Sequence, residues 1–439
     1  MRIIATGDAL FASRNLRGRI DPELVSLLDE ADAVFTNAEF TTPAHDTPAY
    51  PEGYTLGSHP WAVDELKSLG VNLVSGANNH TGDYGHVGVL DTLRAFEERG
   101  LTPAGLGRTL AEARRPVFTD VADARIGLVG TATTAAADFL ASDASPWGAA
   151  RPGLNPLRWS VSVELPESQY EQLRAIDEAL GTARTHRETD RVEIRENTDP
   201  NWFNFGVPNA VKVRKGSQAR LVWQADPRDV EANCRAIRDA KGTADVVIVS
   251  IHAHEGEQDG WYHAQPAPFI VDACHAFVEA GADLVLCHGP HMLRGIDRYR
   301  DGVIFYSLGS LVSDFETSAR VPVEMFQKYA LADDSYPSDL HQMRRRDANG
   351  EPQGFYGDER FDTSCFAAID VDPDTGVKSV TVVPTQLRMN EERHALRGIP
   401  RRADVEEARA IVDRLNAMSE PYGTKLEFDE ETGVGTLTL

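Results

Sequence analysis

The sequence predicts an α/β fold, and three observations carry that expectation. Short β-branched runs alternate with segments of helical periodicity along a chain of 439 residues. Three of the helical segments close on glycine, a common helix stop. Polar side chains of chemical interest stand just beyond successive predicted strands, where open α/β sheets collect ligands. In order, the strand-like runs are RIIAT (2–6), DAVFT (32–36), NLVSG (72–76), ARIGLVGTA (124–132), ADVVIVSIHA (244–253), ADLVLCHG (282–289) and GVIFYSLG (302–309). Between them PELVSLLDEA, HPWAVDELKSLG, VGVLDTLRAFEERG and PAPFIVDACHAFVEAG carry apolar residues at helical spacing. After residue 365, CFAAIDVDPDTGVKSVTVVPTQ reads as a hairpin, ADVEEARAIVDRLNAMSEPYG as an amphipathic helix, and TKLEFDEETGVGTLTL as a closing hairpin at a sheet edge.

Composition limits the class of partner. The formal charge is -24, and nucleic acids or anionic membrane surfaces are bound through cationic faces, so neither is expected. The start, MRIIATGDAL, has no charged region followed by a long apolar stretch, and no segment has the apolar length of a membrane span. A cytoplasmic protein without a membrane anchor is expected. Cys234, Cys274, Cys287 and Cys365 are too dispersed for a disulfide framework and read as buried small hydrophobes.

The polar residues share one placement. Gly7-Asp8 follows the first strand, Asn37-Ala38-Glu39 the second, and Asn78-Asn79-His80 the third; His252-Ala-His254-Glu-Gly-Glu257 and His288-Gly-Pro-His291 follow two later ones. Carboxylate, amide and imidazole donors in that mixture suit a divalent metal such as Mn, Mg, Fe or Zn. In SGANNHTGDYG (75–85), Asn79 offers a carbonyl oxygen, His80 stands close to it, and Asp83 is placed to orient the imidazole. Each residue also has an ordinary structural use: Asp8 as a turn cap, Asn78 and Asn79 as turn formers, Asp83 as the cap of a helix starting near Val87.

The stretches TGDALFASR, NAEF, SGANNHTGDYG, VSIHAHEGE, CHGPHMLRGID and IFYSLGS, in this order over residues 1–135 and 244–312, resemble the CapA family. These are bacterial capsule and poly-γ-glutamate synthesis proteins with a calcineurin-like metallophosphatase fold. The resemblance implies a four-layer α/β/β/α sandwich with two mixed sheets. It also implies that Glu39 bridges two metals, with Asn79, His252 and His288 completing one and Asp8 and His291 sharing the other. His80 matches the histidine that protonates a leaving group. The usual Asp-x-His of the first motif is here Asp8-Ala9-Leu10, so the number of ions is left open between two, one and none. Arg14 matches the arginine of the first motif and, with Asn78, is assigned to substrate.

The division expected along the chain is 1–135 and 244–312 as halves of the core, 136–243 as an insertion serving as a substrate lid, and 313–364 as an irregular loop region. Residues 365–439 are expected as packing at the sheet edge. Trp202, Phe203, Phe205, Lys212, Arg214 and Lys215, and Arg344, Arg345 and Arg346 with Phe355 and Tyr356, join apolar area to positive charge and suit the guiding of an anionic ligand. Three functions stand open: a metal-dependent hydrolase or transferase acting on a phosphoester, peptide or γ-glutamyl bond; a metal-free peptide epimerase with Asp8 and His291 as an acid/base pair; and a non-catalytic binder of anionic polymer in capsule assembly. The expected ligand is a small anionic or peptide substrate. Oligomeric state is not indicated.

Overall fold

The structure is a computed structural model of the chain, and it describes every residue except 51–53, 136, 195–198, 208, 259, 315, 317–319 and 438–439. The expected lid, loop region and closing hairpin each include some residues outside that description.

Two large mixed sheets dominate. In the first, the strand order is Leu426–Asp429, Val434–Leu437, Gly376–Gln386, Thr363–Asp372, Arg2–Leu10, Ala33–Ala38, Leu73–Ser75, with Ser310–Ser313 also paired to Arg2–Leu10. In the second it is Ile296–Tyr299, Gly302–Phe305, Leu284–His288, Val246–His252, Ala124–Ala132, Val117–Val121. Each predicted strand is present, and the helices form at Pro22–Asp29, Trp61–Ser68, Gly85–Glu97 and Pro268–Glu279.

Alternation along the strands explains the packing. Ile3, Ala5, Phe35, Leu73, Ile126, Ile248 and Leu286 turn into one apolar layer shared by both sheets. Their neighbours turn outward. Ile4, Val34 and Val74 meet Leu24, Leu28, Val63 and Leu66 of the first two helices, while Val247, Val249 and Val285 meet Ile237, Phe269 and Phe277. Strands buried on both faces read as unbroken apolar runs, which is the pattern seen in the sequence. Each fully buried Ile or Phe contributes roughly 1.5–3 kcal/mol of transfer free energy.

Three expectations about organisation change. The C-terminal segment spans the sheet from its edge inward: the closing hairpin Leu426–Asp429 and Val434–Leu437 forms the edge, whereas Thr363–Asp372 pairs antiparallel with Arg2–Ala5 inside the first sheet, where its alternating apolar residues complete the shared layer. The 136–243 segment builds its own four-stranded sheet from Trp159–Pro166, Trp202–Phe205, Val211–Gly216 and Arg220–Ala225. Its last helix, Pro227–Lys241, belongs to the core, packing Ile237 and Ala240 on the second sheet. The 313–364 segment contains helices Val323–Lys328 and Pro337–Arg345, joined through Met325, Phe326 and Leu340. No described helix is long and apolar enough to cross a membrane. All four cysteines are free and buried.

Candidate metal and catalytic site

Strand register assembles the site. Asp8 lies across from Asn37, and Asn37 across from Ser75, so three parallel strands end at one edge of the first sheet. In the second sheet His252 lies across from His288. The chain at Gly7 passes so close to the returning segment that a Cβ there would sit 1.9 Å from the Gly309 carbonyl oxygen. That approach lets the Asp8 N–H donate to Gly309 O at 3.1 Å and fixes Asp8 between the sheets.

Asp8 is fully buried. Its Oδ1 accepts from Asn37 Nδ2 at 2.8 Å and lies 3.2 Å from His288 Nδ1. Its Oδ2 accepts from the Gly289 N–H at 2.9 Å and lies 3.1 Å from His291 Nδ1. Burial opposes ionisation of Asp8, yet the hydrogen bonds and charge of His288 and His291 hold its carboxyl well below the usual range. Glu39 is equally buried but differs in its contacts. Its Oε1 is 3.8 Å from His252 Nε2, 3.7 Å from His291 Nε2 and 3.8 Å from His80 Nε2, and neither oxygen has a hydrogen-bond partner. Burial, then the neighbouring Asp8 and Asp83 charges, push Glu39 well above the ordinary carboxyl range.

A buried carboxylate without partners is strongly unfavourable unless a cation meets it. The surrounding imidazoles fit that role. Burial, then the mutual proximity of the histidines, lowers His252 and His254 well below their usual values, and a neutral imidazole is the form that ligates metal. Three overlapping groups have donor atoms within 4.8 Å of one another: Asp8 with His252 and His288, Glu39 with His252 and His254, and Asp8 with Glu39 and His291. The Asn79 Oδ1 is also buried without a hydrogen-bond partner. The donor set therefore fits a divalent cation.

This grouping differs from the expected one. His288 sides with Asp8 instead of Glu39, because its Nε2 is held 2.7 Å from Ser250 Oγ and its Nδ1 turns to the aspartate. His254 joins Glu39, 3.1 Å from His252 by their Nε2 atoms. The sequence places His254 among the donors beyond its strand, but the ligand set implied by the resemblance leaves it out, and a residue past the end of a strand has no face fixed by the period of two. The strand ends at His252, and the loop that follows turns His254 back. The fully buried Arg294 fixes that loop, donating from Nη2 to His254 O at 2.8 Å and from Nη1 to Glu255 O at 3.3 Å.

His80 and Asp83 come together. The ring Nδ1 is 2.7 Å from Asp83 Oδ2, which also accepts from the Leu56 N–H at 2.5 Å. The following helix begins at Gly85 with Tyr84 as its N-cap, so Asp83 is not that helix's cap. Asn78 is withdrawn from the cleft: it is 1% exposed, its Oδ1 accepts from the His80 N–H at 3.1 Å, and its Nδ2 donates to Ala38 O at 2.9 Å. Those bonds set the backbone of His80. Arg14 is not at the cleft either; it is exposed, its guanidinium 4.7 Å from the Trp61 ring centroid.

A cavity of about 480 Å³ opens on Asn79, His80, Asp83, His254 and His291. Its remaining wall includes Tyr54, Tyr262, Lys328, Arg344 and Phe355, and among the described residues none of its lining falls in 136–243. The second insertion, not the first, contributes to the wall, through Lys328, Tyr329, Arg344 and Phe355. His291 holds a left-handed backbone, φ 58°, at the cavity edge. Strain of that kind in a non-glycine residue concentrates at functional sites.

The sequence aligns with known proteins along most of its length. The profile of the family described as "Bacterial capsule synthesis protein PGA_cap" matches residues 2–315. The uncharacterized protein y4sH of Sinorhizobium fredii is 30% identical over 98% of this chain and 92% of its own length. The capsule biosynthesis protein CapA of Bacillus anthracis is 26% identical over 65% of this chain and 52% of its own. Among solved structures, a hypothetical protein from Thermus thermophilus covers 88% of this chain and 99% of its own, at 14% identity and a TM-score of 0.41. With a family profile spanning most of the sequence and a relative aligned over nearly all of it, this chain belongs to the bacterial capsule synthesis protein family.

Proposed function

We propose that the protein is a metal-dependent hydrolase or transferase of metallophosphatase-like architecture, acting on a phosphoester, peptide or γ-glutamyl bond. One observation carries the reading: Glu39, fully buried with neither oxygen hydrogen-bonded, among Asp8 and the imidazoles of His252, His254 and His291. Helices covering the outer face of each large sheet agree with the four-layer sandwich of that architecture. Asp8, Glu39, Asn79, His252, His254, His288 and His291 would hold one or two divalent cations. Such a cation supplies Lewis-acid polarisation of the bond attacked and of water.

The chain's own groups do the rest. Asp83 accepts the Nδ1 proton of His80 and fixes the tautomer, so Nε2 is the nitrogen that exchanges a proton with a leaving group in the cavity. Asn78 holds the His80 backbone in place. Tyr262 and Phe355, 5.8 Å apart by ring centroids, give the cavity wall an apolar surface.

A second reading, epimerisation at a peptide Cα, rests on His291 lying 3.1 Å from Asp8 in strained backbone at the cavity edge. One experiment separates the two. Metal is measured in protein purified without chelator, and activity is screened over phosphoesters, γ-glutamyl peptides and peptide amides with Mn, Zn, Mg and Fe. The hydrolase reading expects stoichiometric metal and turnover lost on chelation. Deuterium uptake at a peptide Cα that survives chelation would replace it with the second.

A further inference from the structure

Three basic residues in a row, Arg344, Arg345 and Arg346, end the helix Pro337–Arg345 and its C-cap. They have different surroundings. Arg345 lies 3.8 Å from Glu316, and Arg346 donates from Nη1 to Gly350 O at 2.6 Å. Only Arg344 of the three lines the cavity that holds His80 and His291.

Its position follows from the helix. Leu340, fully buried, anchors the helix against Met325 and Phe326, and Arg344 stands one turn further along the same face. The guanidinium carbon then lies 4.1 Å from the ring centroid of Tyr54 and 5.9 Å from that of Tyr329. The Tyr54 ring is itself 6.2 Å from the His80 ring. A single aromatic ring thus separates a half-buried guanidinium from the imidazole of the His80–Asp83 pair. Lys328 adds a second positive charge to the same wall.

We infer that Arg344 recognises an oxyanion of the substrate, a carboxylate or a phosphate, spaced a few carbon atoms from the bond that reacts beside His80. Tyr54 engages the guanidinium through its ring and a side-chain hydrogen bond, and a guanidinium carries five N–H donors in a planar fork, enough to pair with a carboxylate or phosphate as well. Partial burial strengthens that pairing relative to water. Tyr262 and Phe355 supply apolar surface for the intervening methylenes. The carbon spacing rests on the proposed place of reaction at His80; the anion site itself does not.

The test reads binding alone, by calorimetry on the full chain, with glutaramate, the neutral glutaramide, and a phosphonate of the same length. Wild type is expected to prefer glutaramate over glutaramide by about tenfold or more, the size of one charge-assisted pairing. Arg344→Gln should abolish that preference, and the preference for the phosphonate, while leaving glutaramide binding unchanged. Arg344→Lys, which keeps the charge and loses the fork, should show an intermediate loss, and Arg346→Gln none. The ratio of carboxylate to phosphonate affinity identifies the natural oxyanion. Equal binding of acid and amide by wild type, unaltered acid binding in Arg344→Gln, or an equal loss of acid and amide would each overturn the proposal. Should Arg344→Gln not fold, an undiminished acid preference in Arg344→Lys overturns it as well. Absence of metal and turnover would end the hydrolase reading and leave these affinities standing.

Discussion

Glu39 and His80 make opposite demands at the level of single residues. Glu39→Gln is nearly isosteric but removes the buried charge that a cation would meet, so the dissociation constant for Mn or Zn should rise at least ~10-fold, the lower range seen even for outer partners of metal ligands. Dialysed variant protein that keeps wild-type metal content would take Glu39 out of the ligand set. His80→Ala should instead retain the metal and lose turnover by roughly 10²- to 10⁴-fold, the size of a general acid contribution. The loss should shrink for substrates with good leaving groups; an equal loss for good and poor ones removes proton donation from the scheme. Asp83 separates its two tasks by substitution. Asp83→Asn keeps an acceptor for the Leu56 N–H yet removes the anion behind His80, so rate falls with little change in stability. Asp83→Ala strands the buried amide as well and should also cost about 1–3 kcal/mol in urea unfolding.

At the scale of elements, short local signals decide where helices start and where loops can pass. Asp226 caps the helix Pro227–Lys241 by accepting from the Arg228 N–H at 2.9 Å. Arg228, through its guanidinium and its backbone N–H, pulls the Asp226 carboxyl down to about 2 from an ordinary 3.8. A depressed acid stabilises the fold above its unfolded value and loses that contribution as pH falls. Asp226→Ala should therefore cost about 1 kcal/mol at pH 6, and the deficit should close as the pH drops from about 4 toward 2. A deficit independent of pH in urea titrations would show that the charge of the cap is irrelevant. Gly289 illustrates the tighter constraint of a loop beside the site. Its φ is 121°, and a Cβ there would lie 2.5 Å from His254 Cδ2. Glycine is what lets the backbone N–H reach Asp8 while His254 keeps its place.

For the whole molecule, the first sheet is closed by residues far apart in sequence. Thr363–Asp372 inserts beside Arg2–Leu10, and the helix Val405–Ser419 adds Ile411, Val412 and Leu415 to the layer between the sheets. Truncation at residue 362 removes those contacts and exposes the strand edge at Arg2–Ala5, while Asp8–Leu10 keep Ser310–Ser313 as their partner; an uncovered edge invites aggregation. The expected outcome is insoluble protein, or soluble protein without a cooperative melt. A truncated chain that melts cooperatively near the wild-type temperature would show that the tail is dispensable to the core.

The sequence by itself determined the strands and helices of the core, since unbroken apolar runs and glycine stops are local properties. It also placed Asp8, Glu39, His80, Asp83, His252, His288 and His291 at strand ends, because a ligand loop follows its strand within a few residues. What it left undecided are matters of partnership across sequence distance. Only the register of two sheets turned His288 toward Asp8, and only the bend after His252 returned His254 to Glu39. Only packing spent Asn78 on the His80 backbone and carried Arg14 onto Trp61. Arg344 reached the cavity because Leu340 buried one face of a helix that the sequence had presented as irregular. Side-chain direction is set by what the rest of the chain buries, and no local pattern contains that information.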